Sequence, residues 1–78
     1  MNDSEFLQYC ETHSHTERCG FVPSQIARLC KLIGDEDSAK NWAALDNGVY
    51  DMDGIEIRAA VATARANIMA NPQKETTP

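Results

Sequence analysis

Apolar residues recur along most of the chain at the three- and four-residue spacings of a helix, broken by short polar or glycine-marked gaps. Four segments emerge. The first opens after Asp3 or Ser4, both good N-caps, and is predicted to run to about Arg18, with Gly20 as its stop. At about 100° per residue, Phe6, Leu7, Cys10 and His13 share one face, which Phe21 continues. The second starts at Pro23, a favoured first-turn residue, carries Ile26, Leu29, Cys30 and Ile33 on one stripe, and ends at Gly34. The third, "DEDSAKNWAALDNG", is short. Its opening acids suit a helix N-terminus, Ala39, Trp42 and Ala43 form its apolar side with Leu45 near the end, and Asn47-Gly48 closes it. The fourth is the longest. Asp53 and Glu56 have the spacing of a capping box, Ile57, Val61, Ala64 and Ile68 form a narrow seam, and Asn71-Pro72 ends the helix.

The connector "NGVYDMDG" has room for a turn or a brief extended piece through Val49 and Tyr50, and no second strand is visible to pair with it. The expected fold is therefore all-α: a small compact bundle of three to four helices, with a helix-turn-helix-like pair around Gly34. Residues 1–71 are expected to form a single domain. The segment 72–78, "PQKETTP", lacks apolar residues and is expected to be a mobile tail.

Length and composition sharpen this picture in a few places. A chain of 78 residues buries only about 60–65% of the surface its unfolded form exposes, so its core is thin and a partner, metal or dimer contact would help it. The 42% apolar content excludes wholesale disorder. No apolar run approaches the ~18–20 residues that cross a membrane. The opening "MNDSEFLQ" lacks the basic-then-apolar pattern of a secretory signal, and three cysteines are too few for a disulfide scaffold. The chain is expected to be cytoplasmic, with reduced thiols. Six alanines in the fourth segment (Ala59, Ala60, Ala62, Ala64, Ala66, Ala70) leave thin walls that admit close approach of another helix, including that of a second copy.

Charge changes the functional reading. Twelve acids oppose seven bases, and seven of the acids (Asp35, Glu36, Asp37, Asp46, Asp51, Asp53, Glu56) fall in a stretch whose one base is Lys40. Several of them suit helix caps. The field as a whole repels a phosphate backbone and suits a basic protein surface.

Each chemistry-bearing stretch also has a structural reading. "YCETHSHTERCG" supplies four zinc-type ligands, Cys10, His13, His15 and Cys19, with Cys30 further on. On a continuous helix the first two face the core and the second two face away, so no metal site is expected unless the helix breaks between Thr12 and Thr16. A Cys10–Cys19 disulfide would have to span ~13–14 Å of helix, about twice the ~7 Å limit. A Cys10–His13 nucleophile pair lacks a third group. "DNGVYDMDGIE" suggests a calcium loop, but aligning Gly54 puts Val49 and Ala60 at the two anchoring carboxylate positions.

Two readings compete with protein binding. A helix-turn-helix regulator would present Lys40 and Asn41 to base edges, behind Asp35, Glu36 and Asp37. The pair Asp37-Ser38, with the chain's size and acidity, resembles acyl and peptidyl carrier domains, which implies a phosphopantetheine arm on Ser38. Ala39 stands where those domains carry Leu.

The expected function is non-enzymatic, with no catalytic residues, metal or cofactor. We read a small acidic protein-binding module that regulates or inhibits another macromolecule, of the kind phages and plasmids encode against nucleic-acid-handling host proteins. Its expected contact residues are Asp35, Glu36, Asp37, Asp46, Tyr50, Asp51 and Met52. The expected partner is a protein with a basic surface.

Overall fold

A computed structural model describes residues 1–70. The expected helix end at Asn71-Pro72 and the expected tail 72–78 lie outside the described residues. Six elements follow in order: α1 (Asp3–Thr12), β1 (Arg18–Phe21), α2 (Pro23–Leu32), α3 (Glu36–Ala43), β2 (Tyr50–Asp53) and α4 (Gly54–Ala70). The molecule is mostly helical, but β1 and β2 form an antiparallel sheet, so the all-α expectation is corrected.

The first helix is shorter than its pattern predicted, and the reason is local. It starts from Asn2, one residue before the expected cap: Asn2 Oδ1 accepts from Glu5 N–H at 2.8 Å, and Glu5 Oε1 accepts from Asn2 N–H at 2.9 Å. It stops at Thr12 because the side chains that follow take over its last carbonyls. His13 Nδ1 lies 2.8 Å from Tyr9 O, and Ser14 Oγ donates to Glu11 O at 3.1 Å. Short polar side chains bonding their own backbone compete with helix propagation in this way. The chain then turns through 14–17 and extends.

Strand β1 alternates outward and inward, with Cys19 and Phe21 buried. Its partner β2 lies in the connector that had been expected to stay unpaired. The register sets Arg18 opposite Asp53, Cys19 opposite Met52, Gly20 opposite Asp51 and Phe21 opposite Tyr50. An isolated two-stranded ribbon is marginal in water. This one is held by its inner face, which joins a core formed with Phe6, Leu7 and Cys10 of α1, Ile26 and Leu29 of α2, and Ile57, Val61 and Ala64 of α4. Met52, Trp42 and Ile68 pack against that core half-buried.

Helix α2 behaves as its pattern predicted, while α3 starts where expected but ends at Ala43, short of the expected stop at Asn47-Gly48. Pro23 opens α2, Val22 N–H donates to Gln25 Oε1 at 3.1 Å, and Gly34 ends it in the left-handed region with φ 87°. Asp35 caps α3. The two helices pack on each other, and β1 and β2 flank them in sequence, so the ribbon ties the ends of a helix-turn-helix. On the opposite side α4 packs against α1 and α2. Arg65 pairs with Glu11 at 2.8 Å, and Asn67 Nδ2 donates to Leu32 O at 3.1 Å. No helix among the described residues is long and apolar enough to cross a membrane.

The start of α4 locks the two halves together. Gly54 N–H donates to Glu17 O at 2.9 Å, Arg58 donates to Ser14 O, and Ser14 is completely buried beneath them. Asp53 Oδ1 accepts from Ile55 N–H at 2.9 Å, so the acid does cap this helix, though two residues on and not as a box with Glu56.

Candidate functional site

The seven expected contact residues divide between two places. Asp35 caps α3 and Glu36 and Asp37 occupy its first turn, and all three are exposed. Asp35 has a structural duty: its Oδ1 accepts from Ser38 N–H at 3.1 Å. That bond, with a second from the Ser38 hydroxyl, holds the Asp35 carboxyl below its ordinary value. Glu36 and Asp37 form no ion pair among the described residues.

The other group lies beyond the C-terminal end of α3. Asp46 is exposed in the loop. Tyr50 stands edge-on to Trp42, with ring centroids 5.5 Å apart, which fastens β2 to the last turn of α3. Asp51 pairs with Arg18 at 2.8 Å on the outer face of the ribbon. Met52 turns the other way, against the core.

Two residues absent from the expected set stand out here. Leu45 is 45% exposed and Val49 78%, beside Tyr50 at 36%. Three of the large exposed apolar side chains thus fall within the short stretch from Leu45 to Tyr50, which also carries Asp46 and is followed by Asp51. The pattern had placed Leu45 at the edge of the third helix's apolar side; because α3 ends at Ala43, Leu45 is carried out into the loop. No local pattern marks Val49, because its outward position depends on the pairing of Tyr50–Asp53 with β1.

The zinc-type ligands do not come together. The helix breaks where metal binding would have required it, so the argument from a continuous helix does not hold, yet the ligands still part. Cys10 is in the core, where burial pushes its thiol up to about 11 against the opposing influence of Arg28. Cys19 is in the ribbon's inner face with Sγ 3.6 Å from Met52 O, and burial raises it too. His13 stacks on Tyr9 with centroids 3.9 Å apart, and His15 is exposed. All three cysteines are free thiols. Among the described residues no three His, Cys, Asp or Glu side chains are placed to hold a metal ion. Ser38 is half-buried, and both its N–H and its hydroxyl are given to Asp35.

A cleft of about 430 Å³ opens between α2 and α3, with Arg28, Lys31 and Lys40 among its lining residues. The fold and surface together define a helix-turn-helix framework tied by a two-stranded ribbon, acidic at one end of α3 and apolar at the other. Comparison with known proteins yields no matching family model, no matching curated protein and no matching solved structure.

Proposed function

We propose that the chain is a non-enzymatic protein-binding module that regulates or inhibits its partner. The observation that carries this reading is the exposed apolar trio Leu45, Val49 and Tyr50, which lies with Asp46 and Asp51 beyond the C-terminal end of α3, the helix whose first turn carries the unpaired Glu36 and Asp37. Apolar anchors inside a charged rim are the usual composition of a binding hot spot. The rim's sign selects a partner with a basic face, such as a protein that itself handles nucleic acid. The Arg18–Asp51 pair is largely exposed, so it can open toward a partner at little cost.

The test is affinity capture from lysate of the native host, with wild-type protein, a Val49→Ser/Tyr50→Ser variant and a Glu36→Lys/Asp37→Lys variant as baits. The proposal expects a protein held by wild type, lost with the first variant, and bound more weakly and with less salt dependence by the second. Capture that is indifferent to both substitutions overturns it.

The turn at Gly34 also supports the alternative of a DNA-reading helix-turn-helix. Against it, Glu36 and Asp37 stand at the start of the reading helix and repel phosphate. Retention of duplex DNA at moderate salt would favour that alternative.

Self-association through α4 belongs to the same reading. Its outward face carries Ile55, Ala59, Ala62, Ala66 and Met69 at alternating four- and three-residue steps, with Ile55 61% and Met69 81% exposed.

A further inference from the structure

We propose that the cleft between α2 and α3 is a binding site for an amphiphilic aliphatic carboxylate. This does not rest on the protein-binding reading and shares only Leu45 with it. The cleft's volume, about 430 Å³, lies inside the roughly 300–1,000 Å³ range of small-ligand sites. Its floor is apolar and shallow-walled because the facing residues are alanines: Ala27 and Ala39 are buried, and Ala43 completes the α3 wall.

The charge of the walls is the second observation. Six cations lie among the described residues of this acidic chain, and four are engaged. Arg18 pairs with Asp51, Arg65 with Glu11, Arg58 donates to Ser14 O, and Arg28 holds Asp3 at 3.0 Å while lying 4.6 Å over the Phe6 ring. The two with neither an ion pair nor a hydrogen bond among the described residues are Lys31 and Lys40. Both line this cleft, one from each helix, and no acidic side chain lines it with them.

A cleft with an apolar floor and two unpaired ammonium groups fits a ligand with an apolar body and an anionic head. No aromatic side chain lines it, so it offers no stacking platform for a nucleobase. Arg28 is fixed by Asp3 and Phe6, so the head meets two mobile point charges and not a guanidinium fork, which suits a monovalent carboxylate.

Octanoate is the probe, titrated into ¹⁵N-labelled protein while it remains monomeric. The site predicts saturable amide shifts concentrated in 23–31 and 39–47. Lys31→Gln/Lys40→Gln is expected to weaken binding about tenfold, the loss of roughly one charge-assisted contact. Ala43→Leu, at an exposed position, is expected to fill the cleft and abolish saturation with the fold intact. Octanol, which has the body without the charge, should bind no better than octanoate binds the lysine variant. Shifts that never saturate, octanol bound as tightly as octanoate, or unchanged affinity in the lysine variant would each overturn the assignment.

Discussion

A methyl group at Gly54 would meet backbone on two sides. A Cβ there would stand 2.7 Å from Ser14 O and nearer still to Thr16 O, at the point where Gly54 N–H reaches Glu17 O. Neither carbonyl can swing aside as a side chain would. Alanine gains about 1 kcal/mol in helix propensity over glycine, yet Gly54→Ala is expected to destabilise on the order of 3 kcal/mol, measured by urea unfolding, because the turn 14–17 must move. Gly20 is the control. A Cβ there meets only Val49 Cγ1 at 2.6 Å, and Val49 is free to turn away, so Gly20→Ala should stay within about 0.5 kcal/mol of wild type. Both glycines are plain in the sequence, but the difference between them is not, since it depends on chain some forty positions away. Cys10 gives a pH signature at the same scale. Its folded value is raised from 9.0 to about 11, so the folded state resists ionisation that the unfolded state accepts. Stability is full below pH 9.0 and falls as pH rises from there toward 11. The alkaline fall in urea midpoint should shrink in Cys10→Ala.

Among the elements, the ribbon shows which forces hold it. The Arg18–Asp51 pair is exposed on both sides and is worth at most about 1 kcal/mol. Phe21, buried in the core, is worth about 3–5 kcal/mol by truncation. Phe21→Ala should therefore remove the β1–β2 amide protection from hydrogen exchange, while Asp51→Ala leaves it nearly intact. At the turn into α3, Asp35 makes stability depend on acid. Its carboxyl is held below 3.8, so its contribution is full above that value and is lost as pH falls through the lower folded value. The gap in urea midpoint between wild type and Asp35→Ala should close on acidification, and Asp35→Asn should keep most of the cap. Helices α2, α3 and α4 were legible because each carries a cap, a stop and an apolar stripe within its own residues. The ribbon was not legible because four residues such as Arg18–Phe21 fit a helix face as well as a strand's alternation. The end of α1 was hidden for a similar reason: Thr12 to Thr16 are only modestly poor helix formers, and what decides the matter is where their hydroxyls and rings find partners.

For the whole molecule, the proposed protein-binding connector and the proposed carboxylate cleft meet at Leu45, which belongs to both surfaces. The outward seam of α4 lies on a third. If that seam joins two copies, sedimentation should show mass rising from monomer toward dimer with concentration, and Ala62→Arg should hold the protein monomeric at every concentration. A wild-type mass that stays monomeric removes self-association from the reading. By itself the sequence determined the helices α2, α3 and α4, the buried seam of Ile57, Val61 and Ala64, the core position of Cys10 and the acidic balance. All of these follow from residues a turn or two apart, where periodicity and capping act locally. Tertiary structure alone decided that the chain after Thr12 turns back to form a strand, that this strand finds Tyr50–Asp53, and that Gly54 closes against the turn before it. It also decided that Leu45 and Val49 face outward and that the unpaired lysines share a cleft. The pairing of the two strands and the closure at Gly54 join segments far apart in the chain, and the chain-closure entropy they cost is repaid only when the whole core forms at once. The stretch from Tyr9 to Gly20 holds both kinds of information: its Cys10 was readable from a helix face, and its strand became definite only with the partner across from it.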